Sequence, residues 1–245
     1  PRPILRCRRR KADVSAVDIP VKLTPLHAVA QRLGAQLVER HGWQIPEVYT
    51  DLQGELAAAR QGVALVDQSP RGKIGIEGAA ADQIVRAVYG VDDLVVGSGV
   101  AVEDVRICRL RPDVFFVSTI ASSQQDEYAK LSEQVEAQEY FVTLSDGTHG
   151  QSEILVVGPA AAALLRKVCG MDFRDEVFAD VQARQTSVAK VNQLIIRRDL
   201  GILPAYALIG ARSLGEYLWG VLQEAGQEWD LTPIGWAALD SLVQK

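Results

Sequence analysis

Apolar residues along this chain recur in two rhythms, and the switch between them marks its elements. Leu26, Val29, Ala30, Leu33 and Leu37 stand three and four residues apart, the spacing that gathers side chains on one face of a helix. Pro25 suits a first helical turn and Thr24 its cap, so a helix is expected from Leu26 to Leu37. A second is expected from Tyr49 to Gln61, with Leu52, Leu56, Ala59 and Arg60 on one face and Gly62 as its stop. The runs Val102 to Leu110 and Val114 to Thr119 are short, rich in Val, Ile and Phe, and predict hairpin strands.

Two stretches repeat each other. KIGIEGAAADQIVRAVYGVD from Lys73 to Asp92 and EILVVGPAAAALLRKVCGMD from Glu153 to Asp172 superpose when shifted by eighty positions, which pairs Gly78 with Gly158, Gly90 with Gly170 and Asp92 with Asp172. Each predicts a strand, a glycine turn, a helix and a glycine stop. The pattern returns loosely where Tyr206 to Gly210 leads through Ala211-Arg212-Ser213 to a helix ending near Gly226. Strands alternating with helices, joined by hairpins, indicate an α+β protein of repeated β-α-β-type units. Neither glycine junction carries a dinucleotide or P-loop signature, so these glycines predict tight turns rather than phosphate cradles.

Composition narrows the class. The 245 residues are 48% hydrophobic and 23% charged, enough to bury a substantial core. No run of eighteen apolar residues is present, which disfavours a spanning helix, and no signal-peptide pattern opens the chain. Cys7, Cys108 and Cys169 form no CxxC pair, and His27, His41 and His149 are scattered. No metal site and no disulfide framework are expected, and a reducing compartment, cytoplasm or organelle matrix, is.

Charge is uneven. Arg2, Arg6, Arg8, Arg9, Arg10 and Lys11 fall in the first eleven residues with no acid, leaving 20 basic against 31 acidic side chains in the remainder. Residues 1–20 therefore read as a basic arm, suited to an anionic partner, and residues 21–245 as the folded domain region. A larger protein assembly is the expected partner; nucleic acid is disfavoured, and Trp219, Trp229 and Trp236 read as packing residues rather than a base-stacking platform.

The segment from His41 to Asp67, HGWQIPEVYTDLQGELAAARQGVALVD, followed by Ser69, Gly72, Lys73 and Gly78, resembles the glycine-cleavage T-protein (aminomethyltransferase) family. There the run reads approximately G-W-x-x-P-x-x-Y, an acidic helix ending in R-x-x-x-G-L-F-D, then S-H-M-G-K. Three later segments are similar in order: Phe115 to Thr119 with Asp126, IIRRDLGILPAYALI from Ile195 to Ile209, and Pro233 to Leu242. The resemblance implies the T-protein folate-binding fold, here without its terminal β-barrel. It also implies binding of tetrahydrofolate and transfer of one-carbon units. In extent, and in Arg109-Leu110-Arg111-Pro112-Asp113, the chain is similar to the gamma subunit of heterotetrameric sarcosine oxidase. The face left open by the missing barrel is then a second expected partner surface.

Several anchors that the resemblance would carry over are altered. The family's G-G-x-x-D-D hairpin corresponds to GSGVAVEDVRICRL, leaving Asp104 and Glu103 as candidate catalytic carboxylates. The pterin-binding glutamate corresponds to Leu203 and its neighbouring glycine to Ile202; the arginine of the closing A-R-D corresponds to Leu239. Leucine accepts no hydrogen bond, and each pterin donor buried unpaired against it would cost about 1–3 kcal/mol. Thr119, Arg198, Tyr206 and Asp240 remain as expected cleft-lining, cofactor-binding residues. Two readings follow. In one, the chain is an accessory or structural subunit with eroded folate residues and no cofactor, marked by an apolar or filled cavity. In the other, it is a tetrahydrofolate-dependent aminomethyl or one-carbon transferase, marked by an open polar cavity with an inward carboxylate. The leucines favour the first.

Overall fold

The computed structural model describes residues 20–138 and 141–244; the basic arm lies outside the described residues. The chain opens with β1 (Lys22–Leu23), α1 (His27–Arg32), β2 (Gln36–Arg40) and β3 (Trp43–Val48). α2 (Leu52–Gln61) leads to β4 (Ala64–Asp67), β5 (Gly72–Glu77), α3 (Ala81–Tyr89), β6 (Gly99–Val102), β7 (Val105–Arg111) and β8 (Val114–Thr119). Then follow α4 (Gln124–Gln138), β9 (Thr143–Asp146), β10 (Gln151–Val157) and α5 (Ala161–Val168). The last elements are β11 (Ala183–Val188), β12 (Val191–Arg197), β13 (Ala205–Ala211), α6 (Gly215–Ala225), β14 (Thr232–Pro233) and α7 (Trp236–Val243).

These strands form three open sheets: β1-β3-β2, the six-stranded β11-β12-β13-β10-β4-β14, and the five-stranded β6-β7-β8-β5-β9. The α+β class is therefore as the sequence indicates. One face of the six-stranded sheet, through Leu155, Ala207 and Ile209, packs with α2 and α7 and with Cys108 and Phe116 of the five-stranded sheet. Its other face, through Ile154, Val156 and Leu208, packs under α5 and α6. Burial on both faces is why β10 and β13 read as nearly unbroken apolar runs rather than alternating ones. α3 and α4 cover the remaining face of the five-stranded sheet around Ile74, Ile76, Phe115 and Val117.

The repeat is realised in β5–α3, in β10–α5 and again in β13–α6. At both first turns the glycine is obligatory: Gly78 and Gly158 adopt φ +147° and +126°. A side chain on Gly158 would also sit 2.5 Å from the Gly62 carbonyl oxygen at the end of α2. Gly90 ends α3 in the left-handed conformation. In the second copy α5 stops at Val168 with Cys169 extended, so Gly170 is not its stop.

The first helix is shorter than its periodicity predicts. α1 stops at Arg32, Gly34 turns the chain at φ +76°, and Leu37 belongs to β2, paired opposite Pro46 of β3. Strand pairing here outcompetes a weak continuation of the helix. Thr24 accepts from the His27 amide through its backbone carbonyl, and its side chain caps nothing. α2 begins at Leu52 because Asp51 caps it, accepting from the Gly54 amide at 2.8 Å. Within α2, the fully buried Glu55 accepts from the Thr50 amide at 3.0 Å and the Gly235 amide at 2.7 Å, tying the entry of α2 to the entry of α7.

Candidate functional site

A cleft of about 420 Å³ opens where the two large sheets meet α7. The β6–β7 turn supplies Glu103 and Asp104, the first residues of β7 supply Arg106, and the β4–β5 connection supplies Gln68 and Arg71. The turn after β12 adds Arg198 to Gly201, and α7 adds Trp236, Leu239 and Asp240. The fold thus brings together Asp104, Glu103, Arg198 and Asp240, four of the six residues expected from the sequence.

The other two stand elsewhere. Thr119 is fully buried at the end of β8, and its hydroxyl donates to the Ile120 carbonyl at 2.8 Å. Tyr206 does not line the cleft. Alternation along β13 turns it to the opposite sheet face, where its ring meets Phe173 edge-on at 5.4 Å and stacks on Phe178 at 6.1 Å. One position either way would have aimed it at the cleft side, since successive strand residues face opposite ways.

The floor is cationic and buried. Lys73 lies opposite Ser118 across β5–β8, and Arg106 lies opposite the same Ser118 across β7–β8. Glu153, the third residue of β10, meets Lys73 at 3.2 Å, Arg198 at 3.6 Å and Arg71 at 3.7 Å. Arg71 donates to the Ser118 hydroxyl at 3.3 Å, Arg198 to the Gln68 amide oxygen at 2.8 Å, and Lys73 to the Arg71 carbonyl at 2.8 Å. One carboxylate therefore serves three cations. Burial lowers the Lys73 and Arg71 pKa values, and Glu153 opposes the shift in each. Arg198 is driven well below its ordinary value by burial, then by the like charges of Arg71 and Arg106. The nearby Asp67 carboxyl is pushed up by burial.

The acids of the cleft are engaged or exposed. Asp199 accepts from Arg197 at 2.9 Å and Asp240 from Arg40 at 2.7 Å. Glu103 and Asp104 are exposed on the hairpin turn, Glu103 with a left-handed backbone at φ +50°. Leu203 is 8% exposed and sits in the apolar cluster that also holds Leu200 and Leu239. Ile202, beside it, is 98% exposed. Sequence reasoning missed Arg71, Arg106, Lys73 and Glu153 as a cluster. The available signal was the repeat itself, which places a lysine and a glutamate at equivalent strand starts.

The protein-family model described as GCVT N-terminal domain matches residues 26–243. The chain belongs to this family.

Among curated relatives, the GCVT-family chain is 28% identical over 237 residues to an aminomethyltransferase of Chlorobium limicola, covering 91% of this chain and 64% of that one. It is 27% identical over 244 residues to sarcosine oxidase subunit alpha of a Corynebacterium species, covering 88% of this chain and 25% of that one. The chain thus spans less than two thirds of these relatives' length. Solved structures share its fold. The glycine cleavage system aminomethyltransferase T from Bartonella henselae superposes with a TM-score of 0.79 at 21% identity, over 91% of this chain and 62% of that one. A chain of heterotetrameric sarcosine oxidase from Corynebacterium sp. U-96, in complex with pyrrole 2-carboxylate, gives 0.65 at 21% identity, over 84% and 95%. Among the described residues no helix is long and apolar enough to cross a membrane.

Proposed function

We propose that this GCVT-family chain acts as an accessory or structural part of a larger assembly and holds no folate in the family's manner. The observation that carries the reading is the packing of Leu203. At the position where the resemblance implies a pterin-binding carboxylate, its side chain lies in the core with Leu200 and Leu239. A pterin edge placed there would have no acceptor for its donors, a cost of about 1–3 kcal/mol for each. The shared fold with a chain of a heterotetrameric oxidase, matched over 95% of that chain, supports an assembly as the setting. The free, buried Cys108 and Cys169 suit a reducing compartment.

Calorimetric titration with tetrahydrofolate under reducing conditions tests this. No saturable heat is expected, and binding at micromolar strength or better would sink the reading. A specific observation favours a second reading, tetrahydrofolate-dependent one-carbon transfer. The cleft is open rather than filled, its lining mixes charged with apolar side chains, and Asp104 and Glu103 stand on its lip as candidate carboxylates. Under that reading, folate binding would weaken in Asp104→Asn.

A further inference from the structure

We propose that the floor of the cleft is a receptor for the oxyanion group, phosphate or carboxylate, of a small molecule, held by Arg71, Arg106 and Arg198. This goes beyond the accessory reading and does not depend on it.

The first support is an imbalance of charge among buried groups. Arg71 and Arg198 are 4% and 6% exposed, and the only carboxylate within 4.0 Å of either, among the described residues, is Glu153, which also serves Lys73. Arg106 makes no ion pair at all among the described residues, although Asp180, Glu153 and Asp104 attract it from farther away. Buried cations that outnumber the carboxylate they share are costly, and a ligand anion is the group that relieves them.

The second support is the set of donors left free. The Arg71 Nη2, the Arg198 Nε and the Arg106 Nε are buried without an acceptor among the described residues, and all three residues line the cleft. Guanidinium forks fit the planar pair of oxygens on a carboxylate or phosphate, and three around one space suit a multiply charged group.

The third support is the arrangement of the acids. Asp199 and Asp240 are held by Arg197 and Arg40, so neither competes for the floor. Glu103 and Asp104 stand exposed on the lip, where solvent screens them, while the arginines act in a drier setting where attraction is stronger. The lip therefore disfavours bulky polyanions such as nucleic acid and admits a small anion to the floor.

The test is thermal unfolding of the full chain titrated with inorganic phosphate and, separately, with citrate. Each is run against chloride at matched ionic strength, on the native sequence and on Arg106→Met and Arg71→Met. Arg106 is only half-buried, so its replacement spares the fold even if that of Arg71 does not. The expected result is a saturable rise in Tm with at least one anion and a midpoint displaced about tenfold or more in Arg106→Met, the loss of roughly one charge-assisted contact. A response to phosphate alone marks a phosphate ester as the ligand class, and to citrate alone a polycarboxylate. Absence of any saturable shift overturns the proposal. So does an equal shift in Arg106→Met, which would place the anion elsewhere, for example on the basic arm.

Discussion

Lys73 and Glu153 occupy the same position in the two copies of the internal repeat, and they close on each other as a buried ion pair with Nζ to Oε2 at 3.2 Å. Neither is more than 1% exposed. Each strand, β5 and β10, contributes one charge, and the two strands belong to different sheets, so the pair joins the sheets beneath the cleft.

Removing either partner leaves charge buried, but the two deletions are unequal. Glu153→Gln strips from Lys73, Arg71 and Arg198 together the only carboxylate within 4.0 Å of them among the described residues, whereas Lys73→Met leaves Glu153 with two cations. Breaking one partner of a buried pair costs about 3–5 kcal/mol. Urea unfolding is expected to show Glu153→Gln at or above the top of that range and Lys73→Met below it. The reverse order would mean that Lys73, rather than Glu153, is the hub.

Glu55→Ala removes the acceptor for the Tyr49, Thr50 and Gly235 amides at once. A buried donor left unsatisfied costs about 1–3 kcal/mol, so a loss of about 3–5 kcal/mol is expected. Amide hydrogen exchange should show the added opening at Thr50 and at Gly235, although these lie far apart in sequence. Exchange changed only at the α2 end would contradict the link to α7.

The glycines separate conformational strain from steric collision. Gly90→Ala puts a side chain into open space in a left-handed residue, costing about 1 kcal/mol. Gly158→Ala adds a collision 2.5 Å from the Gly62 carbonyl and should cost several times more by denaturant midpoint. Equal costs would show that the α2 end yields freely.

Cys108 provides a pH test. Burial pushes its thiol up to about 12 from an ordinary value of 9.0. In the folded chain it stays protonated while the unfolded chain ionises, so this contribution is intact below pH 9 and is lost as pH rises from 9 toward 12. The slope of stability against pH in that window should be shallower in Cys108→Ala. At pH 8, a thiol reagent should leave Cys108 untouched in the native protein and label it on unfolding.

Much of the element order was legible because its signals are local. The glycine turns at Gly78 and Gly158 need only their own backbone geometry, and the hairpin before Phe115 needs only adjacent strands. α1 was overextended because Leu37 continues a helical spacing that pairing with β3 overrides. Asp104, Glu103, Arg198 and Asp240 were named from a resemblance that fixes sequence positions, and the fold sets the four along one cleft. Tyr206 was misplaced because the strand face it takes is settled by packing against Phe173 and Phe178.

By itself the sequence determined the α+β class, the thrice-used strand–turn–helix unit, and the resemblance to a family to which the chain belongs. Those rest on periodicity, on residues with restricted or permissive backbones, and on motif order, all readable along a line. Only the tertiary structure decided that Arg71, Arg106 and Arg198, drawn from three separate stretches, converge on one cleft, and that Lys73 and Glu153 meet beneath it. Such meetings depend on strand register and on how two sheets pack, and each is settled by contacts between residues distant in the chain.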